Sequence, residues 1–246
     1  MLRRAPSLTD QVKTHIKDLI VQGQFADGRV PAEMELAELL GVSRTTVREA
    51  LSRLEMEGTI SRRQGSGTFV NSPVLQIHSR LEEIWSYEAM LQAHGLTPST
   101  QVLDGRVLTV ETGGLPGNIA DELALAAGEQ VLFTSKLFLE DDVPVILAHN
   151  YLPLRLLTES YTTKDLKRPI YDFLEEFSRR RLAYYLSEII PLSADNDMAK
   201  TLQIAPGTPL IAFDEIGYDD ENEPILKAAS YFRDDLLRFR ILRRRV

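Results

Sequence analysis

The chain of 246 residues contains no cysteine, so neither a disulfide framework nor a thiolate metal site is open to it. Its four histidines, His15, His78, His94 and His149, show no metal-ligand spacing. No run of about 18 apolar residues occurs, which argues against a membrane-spanning helix. The basic start Arg3-Arg4 leads into no apolar secretion segment. Gly-x-Ser-x-Gly, phosphate-loop and dinucleotide patterns are all missing. Carboxylate pairs such as Glu82-Glu83 and Glu175-Glu176 read as solvated helix faces. These gaps lead to the expectation of a cytoplasmic protein with no metal, no cofactor and no catalytic residues.

Positive charge is also scarce, with a net charge of −8. The balance is uneven: residues 1–72 carry +1 and residues 73–246 carry −9. The acidic part points away from nucleic acid, so any DNA contact falls to the first part, through placement of cations rather than their number. Hydrophobic residues make up 43 % of the chain, enough for the cores of one large or two ordinary domains.

The most informative stretch is residues 41–57, GVSRTTVREALSRLEME. Gly41-Val42 makes a turn, and the Ser43 hydroxyl can accept a helix N–H as N-cap. Val47, Ala50, Leu51 and Leu54 form an apolar stripe at helical spacing. Arg44, Thr45, Arg48 and Ser52 lie off it. Arginine forks match guanine edges, and threonine suits a thymine methyl or a phosphate, so this face suits the major groove. The same residues also fit a solvated amphipathic helix.

Around this stretch, residues 8–22 read as a helix with Leu8, Val12, Ile16, Leu19 and Ile20 on one face and Gly23 as its stop. A second helix over roughly 33–40 carries Leu36, Leu39 and Leu40 inward. Thr59 to Arg63 and Thr68 to Asn71 read as strands joined by Gln64-Gly65-Ser66-Gly67, a hairpin with the form of a wing. A DNA-contacting set follows: Ser43, Arg44, Thr45, Thr46, Arg48, Arg53, Arg62, Arg63, Gln64, Gly65, Ser66 and Gly67, with Arg3 and Arg4 as a candidate arm. Asn71-Ser72-Pro73 opens a linker over 73–79, dividing a 1–72 domain from an 80–246 domain.

The second part holds a helix over Leu81–Ala93, a strand over Gln101–Val110 and an internal repeat. Residues 119–125 with Gly128 match 198–204 with Gly207 at an offset of 79. Each copy continues as a strand (Val131–Leu139, Leu210–Tyr218), an acidic turn, a proline and a returning strand ending near Tyr151 or Tyr231. Pro169–Phe177 reads as a helix and Tyr184–Leu192 as a strand between the copies. The sum is an α+β domain of about six mainly antiparallel strands with pseudo-twofold character. A cleft between related halves is the default ligand site.

The pattern Arg29-Val30-Pro31-Ala32-Glu33, Leu36-Ala37, Val42-Ser43-Arg44-Thr45-Thr46-Val47-Arg48-Glu49-Ala50-Leu51, Leu54, Glu57-Gly58 and Gln64 to Val70 resembles the GntR family of bacterial transcription regulators. Where that family often has a DNA-reaching arginine after Pro-x-Glu, this chain has Met34. Residues 80–242 are similar to the UTRA ligand-sensing domain of the HutC-like subgroup. The similarity lies in Gly95-Leu96-Thr97-Pro98-Ser99, Asn150-Tyr151-Leu152-Pro153, Ile170-Tyr171-Asp172-Phe173-Leu174, Pro206-Gly207-Thr208-Pro209-Leu210 and Tyr231-Phe232-Arg233-Asp234. The resemblance implies a winged helix-turn-helix domain followed by a chorismate lyase-like α+β domain. It also implies a homodimer that binds a palindromic double-stranded DNA operator as a repressor and is released or repositioned by a small molecule.

Sugar-phosphate-binding members of the subgroup tend to carry Arg-x-Arg, a Pro-x-Glu glutamate and a tyrosine before the final arginine. Here those positions are Lys136 and Phe138, Leu226 and Phe232, and the early loop reads Trp85-Ser86-Tyr87-Glu88. The resemblance thus implies an effector site of Trp85, Ser86, Tyr87, Lys136, Phe138, Leu226 and Phe232; His149 joins this set only as the one histidine near the expected cleft, where a core or surface role is the commoner reading. Its effector would have an apolar or aromatic body and at most one carboxylate, paired with Lys136. Two rivals stay open: a chorismate lyase-like enzyme fused to a DNA-binding domain, and a regulator answering to a protein partner.

Overall fold

The computed structural model describes residues 7–73, 81, 83–110, 115–233, 235–237 and 239–243. The Arg3-Arg4 arm, His78, Glu82, Asp234 and residues 74–79 of the expected linker lie outside them. The chain divides into two compact units, residues 1–80 with 240–246 and residues 81–239.

The first unit runs α1 (Leu8–Val21), β1 (Arg29–Val30), α2 (Glu33–Leu40), α3 (Arg44–Met56), β2 (Ile60–Arg63) and β3 (Gly67–Val70). Ser7 starts α1 by accepting from the Asp10 N–H at 3.1 Å. Val12, Ile16 and Ile20 of α1 meet Leu36 of α2 and Val47, Ala50, Leu51 and Leu54 of α3 in one core. Burying each such aliphatic side chain contributes roughly 1.5–3 kcal/mol. Two expected core residues are exposed. Leu8 stands in the first turn of α1 at the end of the stripe and is 54 % exposed. Leu39 is 69 % exposed, because α2 turns Leu36 and Leu40 inward and the neighbouring residue is rotated by about 100°.

Gly41 ends α2 in the left-handed region at φ 65°, a conformation that glycine adopts without Cβ strain. The Val42 N–H then returns to the Ala37 carbonyl at 3.1 Å. This turn launches α3 with Ser43 as N-cap, accepting from the Thr46 N–H at 3.1 Å. The two wing strands occur as expected, and β1 adds a third, giving the order β1-β3-β2. The sequence reading missed β1 because a two-residue strand carries no alternation to detect.

The second unit contains α4 (Tyr87–Ala93), β4 (Pro98–Thr109), α5 (Ile119–Glu122), β5 (Gln130–Glu140), β6 (Val143–Pro153), α6 (Ile170–Phe177), β7 (Tyr184–Ser193), α7 (Asn196–Leu202), β8 (Pro209–Tyr218) and β9 (Pro224–Arg233). The expected helix over 81–93 begins only at Tyr87. The Ser86 hydroxyl accepts from the Ala89 N–H at 3.1 Å and fixes the start there.

The strands form one antiparallel sheet in the order β4-β5-β6-β9-β8-β7. Side chains alternate between its faces. On one face, Met90 and Leu91 of α4 pack on Phe138, Ile146 and Phe232, and Phe173, Leu174 and Phe177 of α6 pack on Leu132 and Leu152. On the other, Ala199 and Leu202 of α7 pack on Leu137 and Leu147, and Ile119 and Leu123 pack on Val131, Phe133 and Tyr151.

The repeat reaches the level of single hydrogen bonds. Leu125 donates to the Ala120 carbonyl at 2.8 Å, and Ile204 donates to Ala199 at 3.0 Å. Ala124 and Gln203 are left-handed at φ 49° and 55°, and Gly128 and Gly207 at φ 85° and 82°. Gly128 donates to Val110 and Gly207 to Ala194, each at 2.8 Å. The β5–β6 register shifts between Phe138 and Leu139, and the β8–β9 register between Gly217 and Tyr218. Apart from the acceptors Val110 and Ala194, which stand 84 residues apart, these pairs sit at the offset of 79.

Candidate DNA-binding and effector sites

The exposed side of α3 carries Arg44, Thr45 and Arg48, while its other side is buried in the core. Arg44 pairs with Glu33 of α2 at 2.9 Å, a contact open to solvent and therefore weak. The Thr46 hydroxyl lies 2.8 Å from the Ser43 hydroxyl. Ser43 and Thr46, both expected at the DNA, also start the helix.

Two further arginines of the expected set are engaged inside the unit. Arg53 pairs with Asp10 of α1. Arg62 on β2 donates to the Arg48 carbonyl at 3.2 Å and lies 3.5 Å from the Glu55 carboxylate, so it ties the wing to α3. Arg62 stays exposed at the wing surface while it makes these contacts. Arg63 lies over the Phe69 ring at 4.8 Å, which steers its guanidinium along the hairpin. Gln64, Gly65, Ser66 and Gly67 form the exposed tip. A Cβ on Gly67 would come within 3.3 Å of the Arg29 guanidinium, so the glycine lets Arg29 lie against the wing. Arg29 is a cation of this face that the sequence reading left out. Its signal was available: it opens the matched Arg29-Val30-Pro31 motif. Met34, at the position where an arginine is common, is 60 % exposed and offers no charge.

In the second unit, Lys136, Phe138, Leu226 and Phe232 share one sheet face through the register Lys136↔Ala148↔Ser230 and Phe138↔Ile146↔Phe232. They do not surround one cleft. Phe138 and Phe232 sit with Trp85 and Tyr87 in one apolar cluster, and Leu226 sits with Leu132, Leu152 and Phe173 in another. Lys136 faces a cavity lined by Thr134, Asn150, Leu152, Ile170 and Phe173. That cavity measures about 10 Å³, room for about one water, so a ligand must displace side chains to enter. His149 is the clearest correction. It pairs with Ser135 and therefore points to the opposite face, where it lies edge-on to Phe133 and Tyr231 at 5.6 and 5.7 Å. Burial lowers its pKa, so it behaves as a neutral core histidine.

Lys136 is 3 % exposed. Burial pulls its ammonium down to about 8, against the supporting charge of Glu88. Its Nζ donates to the Arg168 carbonyl at 2.6 Å, which leaves two of its three donors for other partners. Glu88 accepts from Thr100 at 3.3 Å. Beside it, Tyr87 packs edge-on against Phe138 and Phe232 at 5.2 and 5.6 Å, and its hydroxyl is hydrogen-bonded to that of Ser230. Ser86, the remaining residue of that loop, acts as the α4 cap. The Trp85 Nε1–H is buried without an acceptor among the described residues. An orphaned donor costs about 1–3 kcal/mol, which a ligand oxygen would recover. Tyr171 and Tyr185, which sequence reading overlooked, stand with ring centroids 6.3 Å apart, and the Tyr171 hydroxyl donates to the Trp85 carbonyl at 3.4 Å.

The comparisons agree with this division. Residues 8–70 match the family described as bacterial regulatory proteins, gntR family, and residues 93–238 match the UTRA domain. The chain is 30 % identical over 239 residues to the HTH-type transcriptional regulator Rv0792c of Mycobacterium tuberculosis, spanning 94 % of this chain and 84 % of that one. It is 28 % identical over 236 residues to the HTH-type transcriptional repressor NagR of Bacillus subtilis, spanning 94 % and 91 %. The structure of PhnF from Mycobacterium smegmatis superposes with TM-score 0.58 at 25 % identity, over 95 % of this chain and 99 % of that one. That of the possible transcriptional regulator YydK from Bacillus subtilis reaches 0.74 at 17 % identity, over 99 % and 100 %, a likeness of fold. These relatives are regulators of transcription, not enzymes.

Proposed function

The chain belongs to the gntR family of bacterial regulatory proteins and carries a UTRA domain, and from that premise we propose a ligand-responsive repressor of the HutC-like subgroup, acting in the cytoplasm. In this reading residues 1–72 bind DNA, residues 73–79 link, and residues 80–246 bind the effector and dimerise. The observation that carries it is the α3–wing pair: Arg48 exposed on a helix whose other side is core, and Arg62 fixing the wing beside it. Two such faces in a twofold dimer would read a palindrome, and the second half-site raises the effective concentration of the first.

The dimer surface we assign to β7, an edge of the sheet. Leu186 and Ile189 lie on opposite faces of that strand, 63 % and 56 % exposed. Unpaired strand edges with apolar side chains favour pairing with another strand, and a second copy supplies one. The effector site is the Lys136 face of the sheet beneath α4 and α6, with an effector of apolar body and one carboxylate. Binding there changes operator affinity only by as much as the effector distinguishes two dimer arrangements. Selection of genomic fragments on the full-length protein, followed by footprinting, tests the reading. An inverted-repeat footprint that a carboxylate effector releases supports it, and a single unpaired half-site overturns the dimeric form.

A further inference from the structure

The internal repeat pairs Lys136 with Glu215 at its offset of 79. A cation in one half is answered by a carboxylate in the other. The registers Lys136↔Ala148 and Glu215↔Ala228 put both charges on the same face, each beside an alanine. Between them, β6 and β9 contribute Ala148, Asn150, Ala228 and Ser230, paired Ala148↔Ser230 and Asn150↔Ala228. All four are buried, so a floor of small side chains lies under a roof that includes Tyr87. The charges stand three strand spacings and two residues apart, about 16 Å between Cα atoms for a flat sheet. With both side chains leaning inward and a hydrogen bond of about 3 Å at each end, a ligand of about 10 Å or less between its charges spans the floor.

Glu215 is furnished as a binding group. Its carboxylate accepts from Ser187 at 2.5 Å. Its charge acts on Tyr87, Tyr171 and Tyr185, three partly buried rings. Where the first half has Phe138, the second has Gly217, and a Cβ there would approach the Tyr185 ring to 2.9 Å. The glycine thus makes room for Tyr185 near the carboxylate. The lysine whose charge reaches Glu215, Lys227, is held on the opposite face by Glu122 at 2.8 Å and Asp214 at 2.7 Å. Rings beside a carboxylate suit a cation, through the negative faces of the rings as well as the charge.

We propose that the effector is amphoteric: its carboxylate binds Lys136 and a cationic nitrogen at its other end binds Glu215 among the tyrosines. This rests on the effector reading above and adds Glu215 as the residue that sets specificity. An anion without the nitrogen leaves the Glu215 carboxylate beside apolar ligand surface, and an amine without the carboxylate leaves the Lys136 ammonium so.

Calorimetry on the full-length protein tests it with two matched series: 6-aminohexanoate, hexanoate and hexylamine, and 4-(aminomethyl)benzoate, 4-methylbenzoate and 4-methylbenzylamine. In at least one series the doubly charged member is expected to bind about tenfold or more tighter than either partner. Glu215→Gln, which keeps an acceptor for Ser187, should erase the advantage over the carboxylate alone. Lys136→Met should erase the advantage over the amine. If carboxylates bind equally well with or without the amine, and depend on Lys136 but not Glu215, the effector site stands and the amphoteric ligand is overturned. If binding depends on neither residue, both readings fall. Absence of binding by either doubly charged compound at millimolar concentration also overturns the proposal.

Discussion

Arg62 of the wing donates to the backbone carbonyl of Arg48 on α3 at 3.2 Å, so the two elements we propose to face DNA are joined through the residue that points outward from the helix. The two arginines therefore have different tasks. Arg48→Ala removes a side chain able to grip a guanine with two bonds, and should cost about 1–3 kcal/mol on the operator while leaving random duplex little changed. Arg62→Ala loosens the wing and should weaken operator and random DNA by similar factors. Arg62→Lys should not restore it, because an ammonium cannot bond the Arg48 carbonyl and the Glu55 carboxylate as a fork does. Gel-shift titrations on both duplexes decide. Unchanged operator affinity for Arg48→Ala would falsify the helix assignment.

Ser43 offers a second test, in stability rather than binding. Its hydroxyl satisfies the Thr46 N–H and meets the Thr46 hydroxyl. Ser43→Ala should lower unfolding stability by about 0.5–2 kcal/mol, and Ser43→Asp should recover most of it. A base-contacting role predicts the reverse pattern: unaltered denaturation midpoints with lost operator affinity.

Periodicity and capping made the first unit legible. The stripe Val47, Ala50, Leu51 and Leu54, the turn at Gly41 and the cap at Ser43 are local features, and all three are found. The exposed Leu8 and Leu39 mark where a one-dimensional pattern fails, since an apolar residue is buried only if another element covers it. The same limit explains α4, where Leu81, Ile84 and Trp85 extend an apolar run but Ser86 caps the helix behind them. In the sensor, alternation alone assigns faces. Counting from Lys136 to Ala148 across the β5–β6 hairpin turns His149 away, but that needs the register shift beyond Phe138, which no residue type announces. Glu215 was within reach, because the repeat offset leads straight from Lys136 to it.

The dimer assignment makes a prediction about β7. Ile189 is 56 % exposed and Leu186 63 %, so a glutamate at either position is accommodated in a lone subunit at little cost. In an interface it would bury a carboxylate unpaired. Ile189→Glu and Leu186→Glu should therefore shift the full-length protein toward monomer by light scattering while leaving its melting cooperative. They should also weaken operator binding by removing the second half-site contact. A variant that stays dimeric at micromolar concentration excludes β7 as the interface.

Lys136 gives the last prediction, in pH. Burial lowers its folded value to about 8, while the unfolded chain titrates near 10.4, roughly the reference for lysine. Below pH 8 both states hold the proton and the penalty of burying the ammonium is fully present. Between these values the unfolded state binds more protons, so stability should rise with pH, by up to roughly 3 kcal/mol across the window. Above about pH 10 the trend reverses, because burial raises the phenols of Tyr87, Tyr171 and Tyr185 and the unfolded chain ionises first. Urea denaturation at several pH values between about 8 and 10 should show the rise in the wild type, and Lys136→Met should be more stable at neutral pH with the rise removed. A carboxylate bound at Lys136 favours its charged form, so ligand binding near pH 8.5 should take up protons. Calorimetry in buffers of different ionisation heat measures that uptake directly. A binding heat that does not vary with the buffer would mean that the carboxylate lies elsewhere.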